Sequence, residues 1–383
     1  MAKLLPDSKP NHKRGDTLKI MIYSEYFLPN IGGGEMYCYD LSRGLKMEGV
    51  ENVILTTTTS RMENENELEV IRLRKVIRFL GFNISLLKVF RSIRITRPNI
   101  IHISGPTILD PFLAIICRIS GIKCFLTYHA QFPSKIGRLF HKISMKLTKH
   151  FFNSILVQSQ RDYEYLNGKN NFCKNVIKTF FSNLDPKKFA CSGPIVKKKQ
   201  ILFVGRLDSG HYYKGLDLLI SALNKMILLK EVPYGLKIVI VGSGNRLNHF
   251  IKMVNPKLED TFCFIGDVNQ KELIKLYCES YYSVLPSHRY GEGFGRVALE
   301  SIFCGTPVIV SKYAGISDTI SSYDCGIVID PYDFEVFSKT IIQSLENEEQ
   351  FSTYVRNALK VRESPNFQLT ASIRKLIELY MSQ

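Results

Sequence analysis

Two carboxylates stand eight residues apart, at Glu292 and Glu300, in the run Gly291-Glu292-Gly293-Phe294-Gly295-Arg296-Val297-Ala298-Leu299-Glu300. The glycines predict a loop, and the residues after them predict a helix from about Gly295 to Cys304. Backbone N–H groups at such a helix N-terminus attract anions. Eight helical residues rise ~12 Å, so the two carboxylates would reach different parts of one extended ligand. The alternative is two solvated surface glutamates, for which the surrounding glycines have no purpose.

A second glycine-containing loop carries two cations. Arg206 follows Gly205 at the end of a predicted strand, and Lys214 precedes Gly215. Arginine can bind phosphate oxygens bidentately, and lysine adds a point charge, so the pair suits a diphosphate. The alternative interpretation is an exposed basic loop.

The first half of the chain offers two more candidate positions. Gly32 and Gly33 occupy a predicted strand–helix turn, where glycine lets the backbone approach a phosphate closely, although such a turn also serves chain reversal alone. His129 follows the predicted strand Cys124–Tyr128, on the carboxyl side where ligands bind. A satisfied structural histidine is the alternative there.

Short β-rich runs alternate with helical periods, which predicts an α/β fold with mostly parallel sheets. We predict a Rossmann-like N-terminal domain (1–185), a linker rich in proline and lysine (186–200), a second Rossmann-like domain (201–365) and a C-terminal helix (366–383) that returns to the first domain. The two domains would face each other across a cleft. The predicted strands are Leu18–Tyr23, Val53–Thr57, Leu68–Leu73, Ile100–Ile103, Cys124–Tyr128, Ser154–Gln158, Val176–Phe180, Ile201–Val204, Lys237–Val241, Phe262–Ile265, Tyr282–Leu285, Pro307–Val310 and Gly326–Ile329.

These motifs resemble those of the family-4 retaining glycosyltransferases, which have the GT-B fold. Glu292 and Glu300 match the E-x7-E signature of that family, and Gly32-Gly33-Gly34-Glu35 is similar to its GGxE loop. Between residues 18 and 365 three further motifs occur in the family's order. They are Val204-Gly205-Arg206-Leu207 with Lys214-Gly215, Ile240-Val241-Gly242-Ser243-Gly244, and Cys304-Gly305-Thr306-Pro307-Val308-Ile309.

The resemblance implies a retaining hexosyltransferase that takes a nucleotide-diphosphate sugar, such as a UDP- or GDP-sugar, and a saccharide or lipid-linked saccharide acceptor. Polysaccharide, lipopolysaccharide or glycan assembly would be its setting. It assigns catalytic roles to Glu292, His129, Arg206 and Lys214. Arg206 and Lys214 would neutralise the diphosphate, Glu292 would hold the sugar and Glu300 the ribose. The implied donor-binding set is Gly32, Gly33, Arg206, Lys214, Glu292, Gly293, Phe294, Gly295 and Glu300.

No metal or other cofactor is expected, because the chain contains no Asp-x-Asp motif and positive side chains can stabilise a departing diphosphate. Ser182-Asn183-Leu184-Asp185 departs from the family's N-G-V-D, so no specific donor is carried over. Three alternatives stay open: the same fold with a soluble acceptor, a non-catalytic sugar-nucleotide-binding subunit, and a dinucleotide-dependent dehydrogenase. The last needs a G-x-G-x-x-G turn that Gly32–Gly34 do not supply.

Positive charge is concentrated in one part of the chain. The formal net charge is +16, and residues 71–160 carry fifteen basic side chains and a single acid, Asp110, a net of +14. The segment Arg138–Phe152 predicts a basic amphipathic helix, which suits an anionic membrane surface. A solvated face whose apolar stripe packs on its own sheet is the alternative, and nucleic acid is disfavoured because no nucleic-acid-binding motif accompanies the charge. The predicted membrane or acceptor face comprises Lys88, Arg91, Arg94, Arg138, Lys142, Lys146 and Lys149.

Nine cysteines form no CxxC pair, so we expect buried, reduced thiols rather than a zinc or redox motif. No signal segment and no apolar run of about 18 residues is found. We therefore expect a cytoplasmic protein, peripheral at the inner face of a membrane.

Overall fold

The computed structural model describes two parallel sheets with helices around them. The described residues are 18–30, 32–61, 67–73, 77–79, 82–84, 86–107, 109–129, 135–167, 175–178, 184–191, 196–229 and 232–383. The end of the predicted strand Val176–Phe180, the departure at Ser182-Asn183 and part of the predicted linker lie outside them.

In the described residues the first sheet has seven strands, all parallel. A separate antiparallel hairpin, β4–β5, comes before β6 in the chain. The strands in chain order are β1 Lys19–Ser24, β2 Glu51–Thr56, β3 Val70–Arg72, β4 Ile77–Phe79, β5 Phe82–Ile84, β6 Ile100–Gly105, β7 Lys123–Tyr128, β8 Ser154–Val157 and β9 Val176–Lys178. Their order in the sheet is β3-β2-β1-β6-β7-β8-β9. The helices are α1 Gly33–Met47, α2 Leu86–Thr96, α3 Asp110–Ser120, α4 Lys135–Thr148 and α5 Gln160–Asn167.

The second sheet has six parallel strands, β10 Lys198–Val204, β11 Lys237–Val241, β12 Phe262–Gly266, β13 Ser280–Leu285, β14 Val308–Ser311 and β15 Gly326–Ile329. Their order is β12-β11-β10-β13-β14-β15. Its helices are α6 Leu216–Leu229, α7 Leu247–Met253, α8 Gln270–Glu279, α9 Arg296–Phe303, α10 Ser317–Tyr323, α11 Phe334–Glu346 and α12 Glu348–Glu363. The predicted α/β class with two Rossmann-like parallel sheets is confirmed.

Each sheet reverses its strand order once, between β1 and β6 and between β10 and β13. In open α/β sheets the loops at such a reversal leave a crevice beyond the carboxyl ends of the strands. The candidate residues follow these strands: Gly32 comes after β1, Arg206 after β10 and Glu292 after β13.

The last helix, α13 (Leu369–Ser382), leaves the second domain and packs on α1 of the first. Leu369, Ile373 and Tyr380 are buried in the same cluster as residues of α1. The contact is close at Gly44 of α1, where an added Cβ would lie 2.6 Å from Cγ1 of Ile373. Glycine at this mid-helix position is therefore a packing requirement.

The structure shifts the boundary of the predicted linker. It confirms buried free thiols at Cys38, Cys117, Cys124, Cys304 and Cys325, but three other described cysteines differ from the expectation. The second sheet begins inside the predicted linker, because β10 starts at Lys198, and a 3-10 turn occupies Pro186–Phe189. Cys191 and Cys278 are joined by a disulfide, which fastens the inter-domain segment to the end of α8, and Cys263 is exposed. Cys173 lies outside the described residues. Among the described helices, none is long and apolar enough to cross a membrane.

Candidate functional site

Lys214 and Glu292 meet between the loops that follow β10 and β13. The Lys214 ammonium donates to Oε2 of Glu292 at 3.2 Å, and both side chains are largely buried. Burial by itself would lower the pKa of Lys214, but the Glu292 carboxylate and the neighbouring Tyr213 raise it above its usual value. The two residues therefore form a charged pair inside the cleft.

Three backbone carbonyls fix the loop that carries Glu292. The N–H groups of Gly315 and Ile316 donate to the carbonyls of Gly293 and Phe294, both at 2.7 Å. Arg161, at the start of α5 in the first domain, donates to the Glu292 carbonyl at 2.7 Å. The first domain thus helps to hold the conformation of a loop that belongs to the second.

The turn into α9 is possible because Gly295 has a φ of +93°, a conformation that other residues rarely adopt. This turn brings Arg296 to the start of α9, where its guanidinium donates to Asp40 of α1 at 2.7 Å. In this inter-domain ion pair Asp40 is buried and Arg296 is largely buried. An added Cβ on Gly33 would lie 3.8 Å from Cδ of Arg296. The glycine turn of the first domain and the start of α9 are therefore neighbours.

Glu300 lies one helical turn further along α9. The Tyr277 hydroxyl donates to its Oε2 at 3.2 Å. Burial raises the pKa of Glu300, and Arg296, Tyr277 and Lys214 act against that rise. Glu300 in turn raises the pKa of Lys214, as Glu292 does. The two predicted carboxylates therefore act on the same lysine.

Arg206 forms its ion pair with Asp208 and not with Glu292. Its Nε donates to Oδ2 of Asp208 at 3.1 Å, and 48% of its side chain is exposed. The loop that carries Arg206 packs closely on the glycines after β11, since a Cβ on Gly242 would lie 2.0 Å from the Gly205 carbonyl oxygen. The V-G-x-G turn therefore serves loop packing here.

His129 lies at the cleft edge of the first domain. Its Nε2 is 2.8 Å from the Ser104 hydroxyl, and its ring stands edge-on to Tyr37, with centroids 4.6 Å apart. Burial, with a smaller contribution from Arg296, lowers the pKa of His129 to about 3. The ring is consequently neutral at physiological pH.

Asp40, Arg161 and Arg296 were given no role in the sequence analysis. Arg296 lies within the E-x7-E run and follows its last glycine, so its position was a usable signal. Asp40 and Arg161 lie in ordinary helical sequence, and their partners are 256 and 131 residues away. No local pattern marks them.

The basic helices cover one face of the first sheet. Inner residues of α2, α3 and α4, such as Ile93, Leu113 and Met145, share one buried cluster. The predicted stripe of α4 faces outward: Leu139, Ile143 and Leu147 are 62%, 54% and 69% exposed. The alternative in which that stripe packs on its own sheet is therefore wrong. The large apolar side chains exposed on these three helices are Leu87, Phe90, Ile95, Phe112, Ile119, Leu139, Ile143 and Leu147.

The helices α2, α3 and α4 carry no exposed acid. The sole acid between residues 71 and 160, Asp110, is fully buried. The exposed basic residues among those predicted include Arg91, Arg94, Lys142 and Lys146, while Lys88 and Lys149 are partly buried. Arg138 also makes a contact across the domains, because its guanidinium stacks over the Tyr290 ring of the second domain at 3.8 Å.

Two family models match the two halves of the chain. The first, glycosyltransferase family 4, covers residues 31–178, and the second, glycosyl transferases group 1, covers residues 185–361. The matches abut at the inter-domain segment, in agreement with the two sheets.

Curated proteins and solved structures are similar to this chain over most of its length. An uncharacterized glycosyltransferase of Methanocaldococcus jannaschii is 26% identical over 345 residues, which is 82% of this chain and 85% of that protein. D-rhamnosyltransferase WbpZ of Pseudomonas aeruginosa is 24% identical over 356 residues, 88% of each chain. The structure of Anabaena HepE in complex with UDP superposes with a TM-score of 0.75 at 16% identity, covering 96% of this chain and 100% of that one. Sucrose-phosphate synthase from Thermosynechococcus elongatus gives a TM-score of 0.76 at 20% identity, covering 95% and 98%.

Proposed function

Because the glycosyltransferase family 4 and glycosyl transferases group 1 models match the two halves of this chain, we propose that it is a glycosyltransferase of this kind. It would move a hexose from a nucleotide-diphosphate sugar to a saccharide or lipid-linked saccharide acceptor, with retention of configuration. The observation that carries the proposal is the buried Lys214–Glu292 pair, held in a cleft to which the first domain contributes Arg161 and His129. Buried charges cost free energy, so a pair kept in a cleft favours a binding role for both.

The donor would lie along the loops after β10 and β13. Arg206, half exposed and free to turn from Asp208, would bind the diphosphate together with Lys214. Glu292 would accept hydrogen bonds from sugar hydroxyls, and Glu300 from the ribose. A solved structure with the same fold, Anabaena HepE, is in complex with UDP-glucose, which supports a donor of this class.

Transfer breaks the bond between the anomeric carbon and the diphosphate oxygen, and forms a bond from an acceptor hydroxyl oxygen to the same face of that carbon. The hydroxyl proton passes to the departing phosphate oxygen, so atoms and charge balance without a protein nucleophile. Arg206, Lys214 and the start of α9 would stabilise the charge that develops on the diphosphate, and we propose that no metal is required. His129, being neutral, would orient the sugar rather than supply a positive charge.

We further propose that the acceptor is presented at an anionic membrane surface. The exposed apolar and basic side chains of α2, α3 and α4 lie on one face, and that face has no exposed acid between residues 71 and 160. Apolar residues between lysines and arginines suit the interface of an anionic bilayer. The protein would bind this surface peripherally, at the inner face of the membrane.

The test begins with thermal shift in the presence of UDP, GDP, ADP and their common sugar conjugates, with a chelator added. A ligand that binds the folded state raises its unfolding midpoint. The nucleotide sugar so identified is then incubated with membrane extracts or soluble saccharides, and the anomeric configuration of the product is read by NMR. Binding without turnover would favour the non-catalytic subunit, an inverted product would refute retention, and transfer to a soluble saccharide alone would refute the membrane acceptor.

A further inference from the structure

A chain of buried polar groups runs from the last helix to the cleft. The Tyr380 hydroxyl lies 2.6 Å from Nδ1 of His102, whose Nε2 lies 2.9 Å from the Thr127 hydroxyl. The Thr127 hydroxyl lies 2.9 Å from that of Tyr37. No member of the chain is more than 2% exposed. Four elements, α13, β6, β7 and α1, each contribute one residue.

The direction of these hydrogen bonds follows from burial. Burial lowers the pKa of His102 to about 3, so its ring is neutral, with one nitrogen donating and the other accepting. Among the described residues, His102 is the hydrogen-bond partner of the Tyr380 hydroxyl. Tyr380 must therefore donate to Nδ1, since its proton would otherwise be buried unpaired. Nε2–H then donates to Thr127, whose hydroxyl is hydrogen-bonded to that of Tyr37.

This series of hydrogen-bonded groups ends at Tyr37, which packs against His129 of the candidate site. The Tyr37 ring stands edge-on to His129, with centroids 4.6 Å apart and planes at 72°. Tyr37 and Ser104 thus restrict the His129 ring from two sides. We propose that Tyr380 is a positioning residue, which orients Tyr37 through His102 and Thr127 and thereby holds His129 in its working position. The inference rests on the proposed function for the role of His129.

Packing alone does not account for the Tyr380 hydroxyl. The Tyr380 ring already packs edge-on against Phe125 at 4.8 Å, and a phenylalanine would keep that contact. Two more polar groups, His102 and Thr127, lie beneath it in an otherwise apolar cluster. Buried polar groups of this kind cost free energy unless they are fully paired, and when paired they fix a single arrangement.

The experiment compares Tyr380→Phe with Tyr354→Phe in the full chain. Tyr354 is a suitable control because it is a buried tyrosine of the second domain whose hydroxyl pairs with Gln350 at 2.8 Å. The measurements are the unfolding midpoint, the donor dissociation constant, kcat and KM, and the ring ¹⁵N shifts of His129 by NMR. We expect Tyr380→Phe alone to lower kcat by about 10-fold and to shift the His129 signals, with donor binding unchanged. Equal kcat in both variants with unmoved His129 signals would overturn the proposal.

Thr127→Val provides the second test, and it serves if Tyr380→Phe fails to fold. It interrupts the same chain, so its kcat loss should equal that of Tyr380→Phe and should not add to it in the double variant. Additive losses would refute a shared path. If the wild-type protein turns over no nucleotide sugar, the proposed function fails, whereas the His129 signals still decide whether Tyr380 acts on His129.

Discussion

Arg296 of α9 donates to Asp40 of α1 at 2.7 Å, and this pair joins the two domains through buried charges. Oδ1 of Asp40 also lies 3.7 Å from Nζ of Lys188 in the inter-domain segment. Asp40 is therefore a point at which both domains and the connection between them meet.

Asp40→Asn should lower the free energy of unfolding by about 3 kcal/mol, because it leaves the Arg296 guanidinium buried without its carboxylate. The combined variant Asp40→Asn with Arg296→Met should lose less than the sum of the losses in Asp40→Asn and Arg296→Met alone. Urea unfolding measures both, with Glu335→Gln, in an exposed pair with Lys339, as the control that should change little. Strictly additive losses would show that the two residues do not stabilise each other.

Glu292 is predicted to act on the sugar rather than on the nucleotide. Glu292→Gln should reduce kcat by about 100-fold or more, while the dissociation constant of the free nucleoside diphosphate stays nearly unchanged. Steady-state kinetics and calorimetry measure the two quantities, and Glu349→Gln at the exposed start of α12 is the control. Near-normal turnover by Glu292→Gln would remove the residue from the reaction.

Arg206 and Lys214 should differ in what their loss costs. Arg206→Met should weaken nucleoside diphosphate binding by about 10-fold without lowering stability, since the side chain is half exposed. Lys214→Met should weaken binding and also destabilise the fold, because it leaves the Glu292 carboxylate buried and unpaired. The parent nucleoside, which has no phosphate, should bind all three proteins alike. If the two variants lose as much affinity for the parent nucleoside as for the nucleoside diphosphate, the two cations do not serve the diphosphate.

Membrane binding is predicted to depend on both components of the α4 surface. Replacing Lys142, Lys146 and Lys149 with glutamine should reduce partitioning onto phosphatidylglycerol-containing vesicles by about 100-fold at low salt. Replacing Leu139, Ile143 and Leu147 with serine should reduce the fraction of protein that stays bound to the vesicles at high salt. The control replaces Lys257, Lys271 and Lys275, exposed lysines of the second domain, with glutamine. Equal losses from the control would show that overall charge, and not this face, binds the vesicles.

Buried histidines predict how stability depends on pH. Burial lowers the pKa of His102 and His129 to about 3 and that of His141 to about 4. The unfolded chain takes up these protons below about pH 6.5. The unfolded state then binds more protons, so the free energy of unfolding should fall as the pH drops below that value. Asp110, whose pKa burial raises to about 7, binds its proton in the native state and offsets one histidine.

His141→Leu isolates one part of this dependence. It should flatten the fall in stability by up to about 1.4 kcal/mol per pH unit between about pH 6 and 5. Urea unfolding at several pH values measures the slope, with the exposed His249→Leu as the control. The same slope in wild type and His141→Leu would show that His141 is not neutral in the folded protein.

Local sequence predicted the sheets and the E-x7-E loop because both depend on short-range signals. Parallel strands covered on both faces consist of continuous apolar runs, so β11 was predicted at its observed bounds. Arg161, by contrast, is placed by a loop more than a hundred residues away. The Cys191–Cys278 disulfide is likewise a tertiary contact, 87 residues apart. Periodicity also left open whether Leu139 and Leu147 face the sheet or solvent.

The return of α13 to α1 has a consequence for the order in which the protein is made. Leu369, Ile373, Leu376 and Tyr380 complete a cluster that covers one face of the first sheet. During synthesis these residues leave the ribosome after every strand of the second sheet. An apolar face of the first domain therefore stays uncovered while the second domain is translated. The second domain can complete its hydrophobic core first.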